Sequence, residues 1–492
     1  MTGSSSSAAG TGPVTDNNTA ADTAGMEAIL ERMRADQVAQ GVPSAEVRIA
    51  RLQKVVDLLV DHQDALATAL DEDYGGRSQY LTIMSEVMQP IAHLKDAQKN
   101  LHKWMKTEKR KPPFPMGLFG ARAQVRYQPK GVVGIMSPWN YPIAMVVNPL
   151  CNALAAGNRA MVKPSEFNPR TAALMETLFH EYFPDGEVVV VNGGPEVGAA
   201  FAALPLNHLF FTGAGGIGSK VMEAAGRNLT PVTLELGGKS PVIIGRSASV
   251  AGAAMKIITG KCMNSGQACV SPDYVFVPQE HVEEFIKVCR ATFLSQYPSV
   301  LKNRDYTAVV NERHYTRIMG YLREAEALGA RLENLSAEPV IEGNRRIPLH
   351  LVINPDESLR LMQEEIFGPM MIVKGYGEVI DVIHYINARP TPLALYYFGS
   401  DEAEKETVLN HTLSGGVSVN EVMLHTACVD MPFGGVGASG VGNYHGREGF
   451  KTFSHARSIF TDGKVNLAKL AGTLPPYRPE KLKKVFAGQI KK

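Results

Sequence analysis

Apolar residues recur at helical spacing from residue 26 to about 107: Leu52, Val55, Val56 and Leu59, then Leu66 and Leu70, and later Met84, Val87, Ile91, Leu94 and Leu101. Steps of three and four place such residues on one helix face, so this stretch predicts helices with a core-facing stripe. Residues 109 to 130 break the rhythm with Pro112, Pro113, Pro115, Gly117 and Gly120, after which Ala123, Val125 and Tyr127 alternate as in an edge strand. An excursion from the main body is expected there. Between 131 and 236 short apolar runs alternate with helical stretches, predicting strands over 131–136, 160–162, 188–191, 208–211 and 232–236. Five strands with intervening helices predict a parallel, doubly wound sheet, whose right-handed crossovers bring loop residues such as Asn140, Lys163, Gly213 and Glu235 to the carboxyl ends of the strands. A second series, with strands near 274–277, 370–373 and 394–398 and helices near 281–296 and 312–328, predicts another α/β domain.

The 492 residues exceed one ordinary core and favour two or three domains. Residues 1–25 are rich in Ser, Thr, Gly, Ala and Asn, with only Asp16 and Asp22 charged, and are expected to be disordered. They lack the basic start and apolar stretch of a secretory signal, and no arginine precedes Arg32, which argues against a mitochondrial transit peptide. No stretch approaches ~20 apolar residues, so no transmembrane helix is expected. Fifty basic against 49 acidic residues give a net charge of +1, which points away from nucleic acid or a membrane surface and toward a small-molecule partner. The basic end, from Arg478 to Lys492, is expected to be a solvated face rather than a membrane anchor. Five cysteines without a Cys-x-x-Cys spacing suit neither a disulfide framework nor a metal site, so a reducing, cytoplasmic setting is expected.

Two segments carry candidate chemistry. Cys269 ends Asn264-Ser265-Gly266-Gln267-Ala268-Cys269 and offers a nucleophile; Glu235, in Leu234-Glu235-Leu236-Gly237-Gly238-Lys239-Ser240, offers a carboxylate base. Asn140, within Ser137-Pro138-Trp139-Asn140-Tyr141-Pro142, offers an amide donor for an oxyanion. Gly213-Ala214-Gly215-Gly216-Ile217-Gly218 follows a strand and opens a helix, matching the dinucleotide fingerprint Gly-x-Gly-x-x-Gly. That fingerprint would place pyrophosphate on the helix N-terminus and make Glu235 the ribose ligand, in competition with its use as a base. The same glycines also serve a tight turn and close helix packing, and at this level the alternatives stay open.

Several separate stretches agree with one family in order and spacing: Pro138-Trp139-Asn140-Tyr141-Pro142, Lys163-Pro164-Ser165-Glu166, Phe211-Thr212-Gly213, Leu234-Glu235-Leu236-Gly237-Gly238-Lys239, Gly266-Gln267-Ala268-Cys269, Glu364-Glu365-Ile366-Phe367-Gly368-Pro369 and Pro432-Phe433-Gly434-Gly435. Across roughly residues 45 to 465 the chain resembles the aldehyde dehydrogenase superfamily. Phe433-Gly434-Gly435-Val436-Gly437-Ala438-Ser439-Gly440, Tyr444-His445-Gly446 and Thr452-Phe453-Ser454-His455 resemble its class 3 branch, a pattern shared by bacterial coniferyl aldehyde dehydrogenases. These glycine-rich segments are expected to shape the scaffold rather than to select a substrate.

The resemblance implies an α/β fold in three parts: a doubly wound parallel-sheet cofactor domain (26–108 with 131–236), a second α/β catalytic domain (237–414) and a small bridging and oligomerisation element (109–130 with 415–492, including the tail). It implies that Cys269 attacks an aldehyde as a thiolate, that Asn140 and the Cys269 N–H hold the oxyanion, that hydride passes to a nicotinamide, and that Glu235 activates the water that hydrolyses the thioester. Burial is expected to raise the Glu235 pKa, and that of Cys269 is expected to fall below the ordinary ~8.5. The ribose role goes to Lys163 and Glu166, which leaves Glu235 as the base; the Glu166 carboxylate favours NAD, while Lys163 leaves NADP usable. Glu365 and Phe367 resemble the nicotinamide-ribose ligand and a ring-packing residue, and Gly213 and Gly218 let the helix approach the pyrophosphate. Trp139, Tyr141 and Met145 are expected to line a passage for aromatic or medium-chain aldehydes. The other four cysteines are expected to be buried hydrophobes. A homodimer without a membrane anchor is expected. Competing readings are a coenzyme A-acylating member, a cysteine esterase, and a structural paralogue without catalysis.

Overall fold

The alternation along the parallel strands decides the architecture. The structure, a computed structural model, describes residues 16–489. In the strand Val132–Met136, Val133 and Ile135 enter one apolar cluster while Val132 and Met136 enter another; His208–Thr212 divides Phe210 from Leu209 and Phe211 in the same way. Successive side chains of a strand point to opposite faces, so a strand apolar on both must be covered on both. Helices Ala45–Asp61, Gln89–Trp104 and Ala144–Ala156 cover one face, and Asp16–Gln40, Pro195–Ala202 and Gly215–Gly226 cover the other.

This cofactor-side sheet has the order Gly440–Val441, Val232–Glu235, His208–Thr212, Val132–Met136, Arg159–Lys163, Val188–Val190, with only the first strand antiparallel. All five expected strands are present. The chain runs outward from Val132–Met136 to Val188–Val190 and resumes on the other side at His208–Thr212, which sets the topological switch point between those two neighbours.

The second sheet has seven strands, ordered Arg331–Asn334, His350–Ile353, Met370–Tyr376, Pro272–Pro278, Ser240–Ile244, Ala394–Phe398 and Gly416–Val419; only Arg331–Asn334 is antiparallel. One apolar cluster continues from the helix-covered face of the first sheet onto one face of the second, through residues such as Val242, Val275 and Tyr396. Four of these strands were not anticipated: Ser240–Ile244 abuts the glycine pair at 237–238, and the other three are four-residue strands too short for a period to show.

Four other expectations are corrected. Arg122–Pro129 is not an edge strand but the centre of a three-stranded antiparallel sheet, between Glu108–Arg110 and Ser454–Thr461. Residues 415–492 do not form one unit with it, because Gly416–Val419 joins the catalytic sheet and Gly440–Val441 the cofactor sheet. Of the segment expected to be disordered, 1–15 lies outside the described residues and 16–25 belongs to the helix Asp16–Gln40, which Met26, Leu30 and Met33 dock onto the cofactor sheet. Met84 is half exposed rather than core, since it turns toward the cavity described next.

Candidate active site

A cavity of about 670 Å³ opens between the two sheets at the switch point. Its cofactor-side wall comes from loops at the carboxyl ends of three strands: Trp139, Asn140 and Tyr141 after Val132–Met136, Thr212 and Gly213 at the end of His208–Thr212, and Glu235 to Gly237 at the end of Val232–Glu235. The opposite wall carries Cys269, Glu365 and Phe367. Met145 also lines it, from the helix Ala144–Ala156. Nine of the twelve site residues expected from sequence thus share one cavity; Lys163, Glu166 and Gly218 lie outside its wall.

The loop that delivers Cys269 is held in a conformation few residues adopt. After the helix Val250–Cys262, Asn264, Ser265 and Gly266 all have left-handed φ, of 49°, 53° and 74°. At Gly266 a Cβ would lie 2.4 Å from the Gly368 carbonyl oxygen, so only glycine fits. The strain is offset by buried hydrogen bonds: Gln267 Nε2 donates to the carbonyls of Asn264 (2.9 Å) and Ala308 (3.1 Å), and Gln267 Oε1 accepts from Val310 N–H (3.0 Å). Ser265 Oγ donates to the Thr307 carbonyl. The polar residues before Cys269 are therefore a buried brace.

Asn140 is clamped from its backbone side. Its carbonyl accepts from Arg77 Nη1 (2.6 Å), Asn264 Nδ2 (3.1 Å) and Tyr74 Oη (3.2 Å), while its Nδ2 donates one hydrogen to the Gln267 carbonyl (3.2 Å). A primary amide has a second N–H, and among the described residues no acceptor takes it. Arg77 is paired with Glu86 at 2.7 Å, both fully buried. Glu86 Oε2 in turn accepts from Ile143 N–H (3.0 Å) and Ala144 N–H (2.8 Å), at the start of the helix Ala144–Ala156. Glu86 belongs to a one-turn π-helix, Ile83–Met88, a form that recurs at functional sites. Sequence reading missed this pair: Glu86 falls within an apolar stripe, and Arg77 follows a Gly-Gly turn with no motif.

The electrostatics of the cavity are dominated by buried carboxyl groups, with Lys239 and Arg317 offsetting part of the effect at Glu365. Glu235 is 2 % exposed and among the described residues neither carboxylate oxygen has a hydrogen-bond partner, so burial pushes its pKa well above the usual carboxylate range. Glu365 is pushed up to about 8, by burial first and then by the charge of Asp273, although it accepts the Gly238 N–H. The expectation of a low Cys269 pKa is overturned. Burial raises the thiol to about 12, the neighbouring charges of Glu365 and Glu235 add to the rise, and the backbone N–H groups of Cys269 and Val270 offset only part of it.

Lys163 and Glu166 stand at the same carboxyl edge of the sheet, where Lys163 is in register with Met136. Lys163 is buried, donates to the Pro164 carbonyl (3.0 Å) and pairs with the exposed Glu166 (3.4 Å). The helix beginning at Gly215 has no side-chain cap, and a Cβ at Gly215 or Gly216 would meet nothing within 4 Å, so its N-terminal N–H groups are open to an anion. Thr212 Oγ1 in the cavity wall is buried without a partner among the described residues. These donors, with the Glu365 carboxylate, fit a dinucleotide. Gly218 does not face the cavity: its Cβ would come within 2.6 Å of Leu236, so it serves close helix packing. The Trp139 ring packs against His314 (4.7 Å) and edge-on against Phe367 (5.3 Å). Arg317 donates to the carbonyls of Ile366 (2.8 Å) and Phe367 (3.3 Å) and holds Phe367 at a φ of +46°. Of the other cysteines, Cys151, Cys262 and Cys289 are buried as expected, but Cys428 is exposed, following a short 3-10 turn on the surface.

The sequence model of the aldehyde dehydrogenase family matches residues 5–459. The chain belongs to the aldehyde dehydrogenase family. It is 49 % identical over 475 residues to a probable coniferyl aldehyde dehydrogenase of Caulobacter vibrioides, covering 95 % of this chain and 97 % of that one. It is 44 % identical over 449 residues to a coniferyl aldehyde dehydrogenase of a Pseudomonas species, covering 91 % and 92 %. The substrate-bound state of Staphylococcus aureus AldH superposes with a TM-score of 0.88 at 33 % identity, covering 94 % of this chain and 99 % of that one. As an aldehyde dehydrogenase the protein catalyses NAD(P)-dependent oxidation of an aldehyde. Its family pattern at Tyr444-His445, read from sequence as scaffold, contributes both side chains to the cavity wall.

Proposed function

We propose that this aldehyde dehydrogenase oxidises coniferyl-like aromatic aldehydes to carboxylic acids through covalent chemistry at Cys269. The observation that carries the reading is one continuous cavity holding Cys269, Asn140, Glu235 and Glu365 between an aromatic-lined arm and the carboxyl edge of the doubly wound sheet. NAD or NADP, when bound, supplies the hydride acceptor and a cationic ring. Lys163 and Glu166 would hold the adenosine ribose, the helix N-terminus at Gly215 the pyrophosphate, and Glu365 the nicotinamide ribose, with Phe367 packed nearby. Glu166, exposed and anionic, supports preference for NAD, since a carboxylate repels a 2′-phosphate.

Cys269 rests as a thiol, so its attack needs a base in reach. The ionised fraction of Glu235 supplies one: the raised pKa makes that carboxylate a stronger base than an exposed one, and its charge acts on Cys269. Sγ bonds to the aldehyde carbon as the thiol proton passes to Glu235. The aldehyde oxygen becomes an oxyanion held by the free N–H of Asn140 and the Cys269 N–H; losing one such donor typically costs ~100- to 1,000-fold in rate. Loss of hydride from that carbon leaves a thioester. Glu235, having passed its first proton to solvent, removes one from the attacking water, and the C–S bond breaks to return Cys269 and the acid.

The names of the relatives, with Trp139, Tyr141, Phe433 and Tyr444 in the wall, support an aromatic substrate. The composition and the free cysteines support a cytoplasmic enzyme, and the class 3 resemblance supports a homodimer. A panel of aromatic and aliphatic aldehydes with NAD or NADP, following reduced nicotinamide and acid together, tests the reading. Coniferyl-type aldehydes are expected to show the highest kcat/KM; a uniform preference for aliphatic chains overturns the substrate class.

A further inference from the structure

The cavity wall combines Tyr141, Ala144, Met145 and Tyr444 with the polar side chains of Gln89, Asn148 and His445. Asn148 lies one helical turn past Ala144, roughly 6 Å along the axis at ~1.5 Å per residue. The His445 ring packs at 4.2 Å against His93 of the helix Gln89–Trp104.

Asn148 Oδ1 and both ring nitrogens of His445 have no partner among the described residues. Asn148 is 1 % exposed; its Nδ2 donates to Gln89 Oε1 (3.1 Å), and its Oδ1 has none. His445 is 2 % exposed and neither ring nitrogen is bonded. Gln89 Nε2 is already engaged with His93 Nε2 at 2.8 Å. The His445 ring is not free to turn elsewhere: its backbone N–H donates to Asn152 Oδ1 (3.2 Å), and the ring lies between Phe433, stacked at 5.4 Å, and His93 at 4.2 Å. Tyr141 Oη, nearer Asn140, is also buried without a partner among the described residues, and buried polar groups left unpaired on a cavity wall are suited to a ligand that pairs them.

We propose that Asn148 and His445 bind a hydroxyl group on the substrate ring, at the end remote from the aldehyde, which makes this a site for phenolic aldehydes. The assignment rests on the reading of Cys269 and Asn140 as the aldehyde end. The phenolic O–H donates to Asn148 Oδ1, and the single N–H of a neutral His445 donates to the phenolic oxygen. Burial, with the neighbouring His93 and His425, holds His445 neutral. An aliphatic aldehyde leaves both groups unpaired, and a site built around a hydrogen bond discriminates strongly against a ligand that lacks it.

The test compares kcat/KM for 4-hydroxycinnamaldehyde and cinnamaldehyde, which differ only in that hydroxyl, with hexanal alongside. The wild-type enzyme is expected to prefer the hydroxylated aldehyde by at least about tenfold, chiefly through KM. Asn148→Leu is expected to bring the ratio near unity. His445→Asn, whose residue tolerates the positive φ of 76° there, tests the second ligand and is expected to lower the same ratio. Equal efficiency for the pair in the wild type, or a ratio that survives in both variants, overturns the proposal. Oxidation of cinnamaldehyde without hydroxyl preference defeats this assignment alone, whereas oxidation of hexanal but no aromatic aldehyde defeats the aromatic reading beneath it.

Discussion

Glu235 is a carboxyl group whose folded environment suits its uncharged form, and two consequences follow. Its pKa is raised by burial, so between the unfolded value near ~4.3 and the higher folded value the native state holds a proton that the unfolded chain releases. Stability therefore falls as pH rises through that window. Glu235→Gln removes the effect and is expected to raise the thermal midpoint at pH 8 more than at pH 4, as a pair of melting curves would show; equal shifts would refute the burial argument. In kinetics the same variant is expected to retain part of a rapid first hydride transfer while stalling at thioester hydrolysis, so a pre-steady-state burst with little turnover distinguishes it from Cys269→Ala, which has neither. Cys269, raised to about 12 in the free enzyme, is expected to alkylate slowly at neutral pH, with a rate still climbing past pH 9; a plateau near pH 7 would show a pre-formed thiolate.

At the scale of elements, the position of Asn140 depends on the turn at Arg77 and the π-helix that carries Glu86. Arg77 and Glu86 neutralise each other in full burial while anchoring the Asn140 carbonyl and the first N–H groups of the helix Ala144–Ala156. Breaking a buried pair from one side leaves an uncompensated charge, typically at ~3–5 kcal/mol. Glu86→Ala is expected to lose stability of that order in denaturant unfolding and to lower kcat more than it raises KM, since it loosens the oxyanion donor rather than a substrate contact. An unchanged kcat would mean that Asn140 is positioned without it. The same helix then presents Ala144, Met145 and Asn148 to the cavity, so one element links oxyanion geometry to substrate fit.

Over the whole molecule, the three-stranded sheet offers the longest edge strand, the eight residues of Ser454–Thr461. Ser454–Thr461 pairs only with Arg122–Pro129, leaving its other edge without a strand, and Phe460 on it is half exposed. An open edge of eight residues is a site for pairing with another chain. Sedimentation is expected to give twice the chain mass, and Phe460→Glu to shift the population toward monomer; wild-type protein that sediments at the chain mass would end the dimer reading.

Much of this was legible from residue order. Strand and helix periods follow from side chains having to alternate faces at spacings of 2 and 3.6, so the five-strand doubly wound sheet and its loop residues were readable, and Cys269, Asn140, Glu235, Glu365 and Phe367, named through the family resemblance, line one cavity. Short strands such as Gly416–Val419 were not readable, because four residues fit either period. Tertiary structure alone decided which groups meet without water. The Cys269 thiol is buried near two buried carboxyl groups, which reverses the pKa shift its chemistry suggested. Gly218 packs against Leu236, Glu86 meets Arg77 across the start of another helix, and the His445 ring and Asn148 Oδ1 are unpaired among the described residues in the cavity wall. Desolvation and hydrogen-bond satisfaction depend on every neighbour in space, and a sequence specifies only the neighbours along the chain.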